Sequence, residues 1–354
     1  MNLPLRRPWS VSADFQSGFT LIEIMVGMTV GAIALLAVLN IFEASEGYKR
    51  TITSGGDAQT NGALAISALQ RDIRQSGHGL NSLGLLGCTL ALPGGITLAE
   101  LAPVTINSAS VPAGDANTDT LLVVYGSTLH STEGNRITLV SGTAYTISPP
   151  AYYTIGDRVL AASSGTTDCN NTVTLGQVTG VSGETITVNT NLGAVAGASL
   201  FNLGPHPRLR AYAVRDSILT VCDFFENNCS VTGSTGNLAI WRPIAGNIVT
   251  LRAQYGRDTS IDMDGIVDTY DQTSATTSCD WARIVVARLA IVARSSQYEK
   301  NEIPTDGSSS TWAGQAGVPI NLTGLPDSTH YRYKKYEANI PLINIIRAGV
   351  PGEC

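Results

Sequence analysis

Charge is scarce in this 354-residue chain. Asp, Glu, Lys and Arg make up 14% of it, and 22 basic against 28 acidic side chains leave a formal net charge of −6. That balance excludes a nucleic-acid binder held by its overall charge, and no Lys/Arg block occurs before Arg332–Lys335. The four histidines, His78, His130, His206 and His330, are scattered and form no H-x-x-x-H pair. There is no C-x-x-C, so zinc and thioredoxin-like chemistry lack their usual spacing. A G-x-S-x-G elbow and a phosphate-cradling P-loop are also missing. No constellation for catalysis is left, and no enzyme is expected. Nor is there an internal period of 20–50 residues, which argues against solenoids and propellers.

What the chain does have is one long apolar run. It opens at Gly18-Phe19-Thr20-Leu21-Ile22-Glu23 and continues to Val38-Leu39-Asn40-Ile41-Phe42, enough for the ~20 residues that span a bilayer. A secretory signal has a shorter apolar region with its cleavage site behind it. Here the small residue, Gly18, precedes the run. The preceding segment carries Arg6 and Arg7 against Asp14 and should stay cytoplasmic. A plain membrane anchor accounts for length and leader but leaves Glu23 unexplained. A carboxylate inside a segment meant for lipid marks a functional site by default, although one so near the end can also snorkel to the interface. Gly27 and Gly31 form a G-x-x-x-G pair, which permits close helix approach or simply softens the helix.

The hexapeptide at 18–23 resembles the processing site of type IV pilins and pseudopilins. The resemblance implies that residues 1–18 are a leader removed between Gly18 and Phe19 by a prepilin peptidase. It also implies an N-methylated Phe19 amine, and a 19–42 helix that enters a filament core where Glu23 pairs with a neighbour's Phe19 amine.

After the run, 43–78 reads as an amphipathic continuation of the helix. Ile66, Leu69 and Ile73 fall at helical spacing, Ser54-Gly55-Gly56 is expected to soften or kink it, and Gly77 and Gly79 are stop signals. Leu64, Ile66, Leu69 and Ile73 require a covering domain. Residues 79–354 supply it as a β-rich extracytoplasmic head, so the fold class is α+β. Strands are expected at Thr120–Tyr125, Arg136–Val140, Asp157–Ala161, Thr172–Val178, Glu184–Asn189, Leu209–Val214, Asn237–Trp241, Asn247–Gln254 and Tyr331–Ile346. Arg283–Arg294 alternates as a half-buried strand, although its length also allows a helix. Residues 79–117 and 295–327 read as loops.

Cys88, Cys169, Cys222, Cys229, Cys279 and Cys354 all follow the membrane segment, on the side where disulfides persist. Only Cys222 with Cys229 is close enough in sequence to be favoured. The other pairings stay open, and buried free thiols are the alternative.

Further segments narrow the resemblance to the PilW group of minor pilins. They are Leu69-Gln70-Arg71-Asp72-Ile73-Arg74, Asn247–Gly256 leading into an Asp-rich turn, Trp281–Arg294 and Tyr331–Asn344. Membership implies an inner-membrane precursor with a periplasmic head, later incorporated at or near the pilus tip, where it primes assembly. The implied partners are other minor pilins, the major pilin and a PilY-type adhesin. A J-type pseudopilin of type II secretion and a membrane-anchored periplasmic binding module are the rival readings.

No cofactor is required by this reading, but calcium is a candidate. On the frame of an EF-hand loop, Ser260, Asp262, Asp264, the Ile266 carbonyl, Asp268 and Asp271 occupy ligand positions, with Gly265 at the sharp turn. Ser at the first position and Asp at the last depart from that frame, and Asp264-Gly265 also suits a solvated hairpin. Tyr331-Arg332-Tyr333-Lys334-Lys335-Tyr336 mixes rings and cations as single-strand binders do. Strand alternation would split it over two faces, so nucleic acid is not expected as a partner.

Overall fold

A computed structural model describes residues 18–127, 129, 131–148, 152–162, 169, 172–303, 309–344 and 354. The leader reading, apart from Gly18, and His130 lie outside them. In chain order the elements are α1 (Leu21–Gln75), β1 (Thr89–Ala91), β2 (Thr97–Leu98), β3 (Val104–Ile106), β4 (Leu121–Tyr125), β5 (Asn135–Ser141), β6 (Ala144–Ser148), β7 (Arg158–Ala162), β8 (Thr172–Thr174), β9 (Gly176–Ser182), β10 (Thr185–Val188), β11 (Ser199–Gly204), β12 (Arg208–Arg215), β13 (Ile218–Asp223), β14 (Arg242–Gly246), β15 (Ile248–Arg257), β16 (Thr269–Asp271), α2 (Ser278–Ala282), β17 (Ile284–Arg294) and β18 (Tyr333–Pro341). The architecture is α+β: one long N-terminal helix and a β-rich head. Two compact units divide the chain, Met1–Thr53 and Ser54–Cys354. The helix assignment runs through Ser54-Gly55-Gly56, the segment expected to soften or kink it.

Within the second unit, the end of α1 is core. Ala58, Ala65, Ile66, Leu69 and Ile73 are buried against two sheets. One is five-stranded, in the order β14-β13-β12-β4-β3, and the other four-stranded, β16-β15-β17-β18. Leu64 is the exception to the sequence reading: it stays 50% exposed, because it shares the outward face with Ser67 and Arg71. Gly77 ends the helix at φ +79°, a backbone that favours glycine. Its N–H donates to the Val124 carbonyl at 2.9 Å and ties the helix end to β4.

A polar contact fixes the helix further. The buried Asp72 carboxylate accepts from Arg210 Nη1 at 2.6 Å and from the Tyr212 hydroxyl, both on β12. Burial, with the Asp72 charge beside it, pushes the neighbouring Tyr125 hydroxyl up to about 12, so it stays neutral at ordinary pH. Removing one partner of such a buried pair leaves an uncompensated charge and costs roughly 3–5 kcal/mol.

The outer faces of both sheets are also covered. Trp312, Val318, Ile320 and Leu322, from the segment read as a loop, bury Ala290 and Val292 of β17 together with Val249. β17 is therefore a central strand apolar on both faces over that stretch, and not half-buried. On the five-stranded sheet, Leu122, Val124, Leu209, Ala211 and Ala213 pack against Leu80–Leu101 and against β7 and β11. The segment 79–117, read as loop, thus contributes core residues and the short strands β1 to β3.

Between β4 and β12 the chain builds a closed six-stranded barrel, β10-β6-β5-β11-β7-β9, with an interior of its own around Ile137, Tyr145, Ile147, Val178 and Ile186. The expected strand 172–178 is split into β8, which pairs in parallel with β1, and β9 of the barrel. The expected strand 237–241 is instead a run of turns. Asn237 is the cause: its carbonyl accepts from Ile240 and Trp241, and its side chain from the Ala239 N–H, a local alternative to the ladder.

All six cysteines pair: Cys88 with Cys169, Cys222 with Cys229, and Cys279 with Cys354. The last bridge ties the C-terminal residue to α2. There Thr277 and Asp280 form a reciprocal capping box.

Candidate functional site

The chemistry at the start of the apolar helix comes from three side chains. Gly18, Phe19 and Thr20 precede the first helical residue, Leu21. Phe19 is 86% exposed, so the Gly18–Phe19 peptide lies on accessible, non-helical backbone. Thr20 caps the helix. Its hydroxyl accepts from the Glu23 N–H at 3.3 Å, and the Glu23 carboxylate accepts from the Thr20 N–H and hydroxyl, both at 2.9 Å. This is a capping box, Thr-x-x-Glu. The spacing was visible in the sequence, but the reading of Glu23 as an intersubunit charge hid it.

Leu21–Lys49 is the one helix among the described residues long and apolar enough to cross a membrane, and it is unburied throughout. At 1.5 Å per residue it measures about 43 Å, against a hydrocarbon core of about 30 Å. Gly27 and Gly31 lie on it, and a Cβ added to either would meet nothing within 4 Å. Their free faces leave room for a second helix.

At the other end of the sequence, residues 222–344 match the family model described as Type IV Pilus-assembly protein W, and residues 15–39 match the prokaryotic N-terminal methylation motif. The two matches support a type IV pilus minor pilin of the PilW type. No curated protein matches the chain. Among solved structures, the chain is similar to the type IV-like pilin TTHA1219 from Thermus thermophilus, at 11% identity and a TM-score of 0.34, over 80% of this chain and 96% of that one. The barrel between β4 and β12 lies outside both matched segments.

The pilin's Asp-rich turn does not gather the carboxylates that the EF-hand frame assigned to it. Among the described residues no three of His, Cys, Asp or Glu are placed to hold a metal ion. Asp268 accepts from the Thr259 N–H at 2.7 Å and its hydroxyl at 3.0 Å. Asp271, on β16, pairs with Arg257 Nε at 3.0 Å. Asp264 accepts from the Ile266 N–H at 2.8 Å, and Ser260 donates to Asp258. Asp262 points to solvent. The hub is Asp258, which the frame left out. It is wholly buried and also accepts from the N–H groups of Ser260 and Gly265. Burial alone would raise its carboxyl, but these hydrogen bonds and the nearby Arg283 hold it below the usual carboxylate range.

The Tyr331–Tyr336 stretch is engaged in packing. Tyr331 lies under Arg294 and beside Tyr298, Tyr333 packs on the outer cluster around Trp312, and the Tyr336 hydroxyl donates to the Gln59 carbonyl of α1 at 2.8 Å.

Proposed function

We propose that this pilin is cut between Gly18 and Phe19, methylated on the Phe19 amine, and held in the inner membrane by Leu21–Lys49 with its head in the periplasm. It is then drawn into the pilus at or near the tip, where it primes assembly through contacts with other minor pilins, the major pilin and a PilY-type adhesin. The observation that carries this reading is Glu23: the one carboxylate in the apolar stretch from Leu21 to Phe42, on an unburied helix and four residues from the amine that cleavage would free. In lipid a lone carboxylate is costly, and the Thr20 cap supplies hydrogen bonds but no opposite charge. A neighbour's Phe19 ammonium would supply it and set the axial register between subunits.

Two measurements test this. Mass spectrometry of the membrane-extracted protein should find a methylated Phe19 at the N-terminus. Glu23→Ala should insert normally and fail to enter pili. Thr20→Ala removes the cap, at a cost of about 1 kcal/mol, but keeps the charge, so it should still assemble. A mature protein starting at Met1, or equal assembly defects in both variants, would refute the pairing role.

A further inference from the structure

The aspartate turn and the outer face of α1 carry complementary chemistry. Ile261 is 92% exposed at the tip of the turn, and Ile266 is 65% exposed. They are not on a floppy loop. Asp258 grips the N–H groups of Ser260 and Gly265, and Arg283 Nη1 donates to the carbonyls of Asp258 and Ser260 at 3.2 and 2.8 Å. Arg283 is itself set by the C-terminus of α2, whose Cys279 is bridged to Cys354. Met263 sits at φ +45°, a conformation that persists only where the surroundings impose it. A rigid loop therefore presents two isoleucines to water, flanked by the exposed carboxylates of Asp262 and Asp264, which make no ion pair among the described residues.

The opposite chemistry lies on α1. Ser67, Gln70, Arg71, Arg74 and Gln75 line an open depression of about 330 Å³. Arg71 is 70% exposed and reaches only the edge of Asp72, at 3.8 Å, and the Arg74 guanidinium has no ion pair among the described residues. Leu64, the apolar residue that the head leaves half uncovered, is on the same face. Arg71 and Arg74 are one helical turn apart, with Cβ atoms roughly 5–6 Å from each other.

We propose that the 258–268 loop of one copy docks on the Leu64–Gln75 face of a second copy. Asp262 and Asp264 meet Arg71 and Arg74, and Ile261 and Ile266 cover Leu64. The two patches differ, so the contact is heterologous. It deepens the pilin reading and rests on it only in that both copies share a membrane. Membrane anchoring raises the effective concentration, so a patch smaller than a soluble dimer requires is sufficient.

The test uses the full-length chain in inner-membrane vesicles, with two differently tagged copies. A photo-crosslinking residue replaces Ser67 in one copy, and the crosslinked peptide is identified by mass spectrometry. The expected crosslink joins it to residues 258–268 of the other copy. Asp262→Arg with Asp264→Arg in the loop copy should lower the yield at least tenfold, as should Arg71→Glu with Arg74→Glu in the helix copy. Combining the two reversals should restore it. Asp262, Arg71 and Arg74 are exposed, so their substitutions should not move the melting curve. Asp264→Arg gives up the Ile266 N–H at 2.8 Å, and restoration of the crosslink by the combined reversals separates that local loss from loss of the charge contact. Absence of a copy-to-copy crosslink, capture of other pilins alone, or failure of the combined reversal to restore the yield would each overturn the proposal. Glu23→Ala should keep the crosslink while abolishing pili, which separates failure of this contact from failure of the assembly reading.

Discussion

Replacing glycine by alanine at two places on α1 should move stability in opposite directions, and the sign follows from what each new methyl meets. A Cβ at Gly62 would fall 2.1 Å from Tyr336 Cε2 and 2.6 Å from Cδ2. The ring must swing away and give up its hydrogen bond to Gln59. Overpacking of this kind costs about 1–3 kcal/mol, and the lost hydrogen bond adds about 1 kcal/mol. Alanine's better helix propensity returns about 1 kcal/mol. The net expectation for Gly62→Ala is a loss of about 1–3 kcal/mol, or a fall in Tm of roughly 2–6 °C for a unit of this size. At Gly56 an added Cβ meets nothing within 4 Å, so Gly56→Ala keeps only the propensity term and should raise Tm by roughly 2 °C. Tyr336→Ala removes the obstacle, and in that background Gly62→Ala should become stabilising, a reversal that a double-mutant cycle reads directly. Thermal unfolding of the purified protein in detergent, followed by circular dichroism, measures all four variants. If Gly62→Ala raises Tm as Gly56→Ala does, the packing of β18 on α1 described above is wrong.

The Asp258 carboxyl is held below its usual range by the loop's own donors, so its contribution is full above the unfolded value near 3.9 and is lost as pH falls through the lower folded value. Tm measured from pH 7 downward should therefore hold to about pH 4 and then drop, and Asp258→Asn should flatten that acid limb. Calcium at 5 mM, roughly ten times a mid-range extracellular affinity, should leave the melting curve unchanged because Asp264, Asp268 and Asp271 already hold partners within the fold. A rise in Tm that disappears in Asp262→Ala with Asp264→Ala would restore the ligand-loop reading.

What was legible in the sequence was local. The apolar run, Glu23, the buried spacing of Ile66, Leu69 and Ile73, and the strand character of Ile284–Arg294 all follow from periodicities that the chain carries in one segment. The misreadings share a cause, which is distance along the chain. Ala290 and Val292 looked like a solvent face because their cover comes from Trp312, Val318 and Ile320. The barrel was invisible because closure joins strands that individually look like any others. Asp72 and Asp258 were passed over, since a carboxylate becomes a structural hub only through donors brought from elsewhere, Arg210 and Tyr212 in one case and Arg283 in the other. Cys88 with Cys169 and Cys279 with Cys354 are pairs across 81 and 75 residues, beyond what loop length can choose.

The barrel's point of entry has a consequence for how this head can be rebuilt. β4 and β12 are neighbours in the same ladder, and Tyr125, where the chain departs, is the register partner of Arg208, where it returns. The whole barrel thus hangs on a gap that a hairpin turn could close. Among the described residues its other attachments include the Cys88–Cys169 bridge, the three-residue parallel ladder of β1 with β8, and the apolar contact of Leu160, Ala162, Phe201 and Leu203. The strand order around α1 does not depend on what fills that gap. A different module, or a short turn with the apolar positions that the barrel covers on the head's side made polar, could be grafted there while the helix and both sheets keep their register.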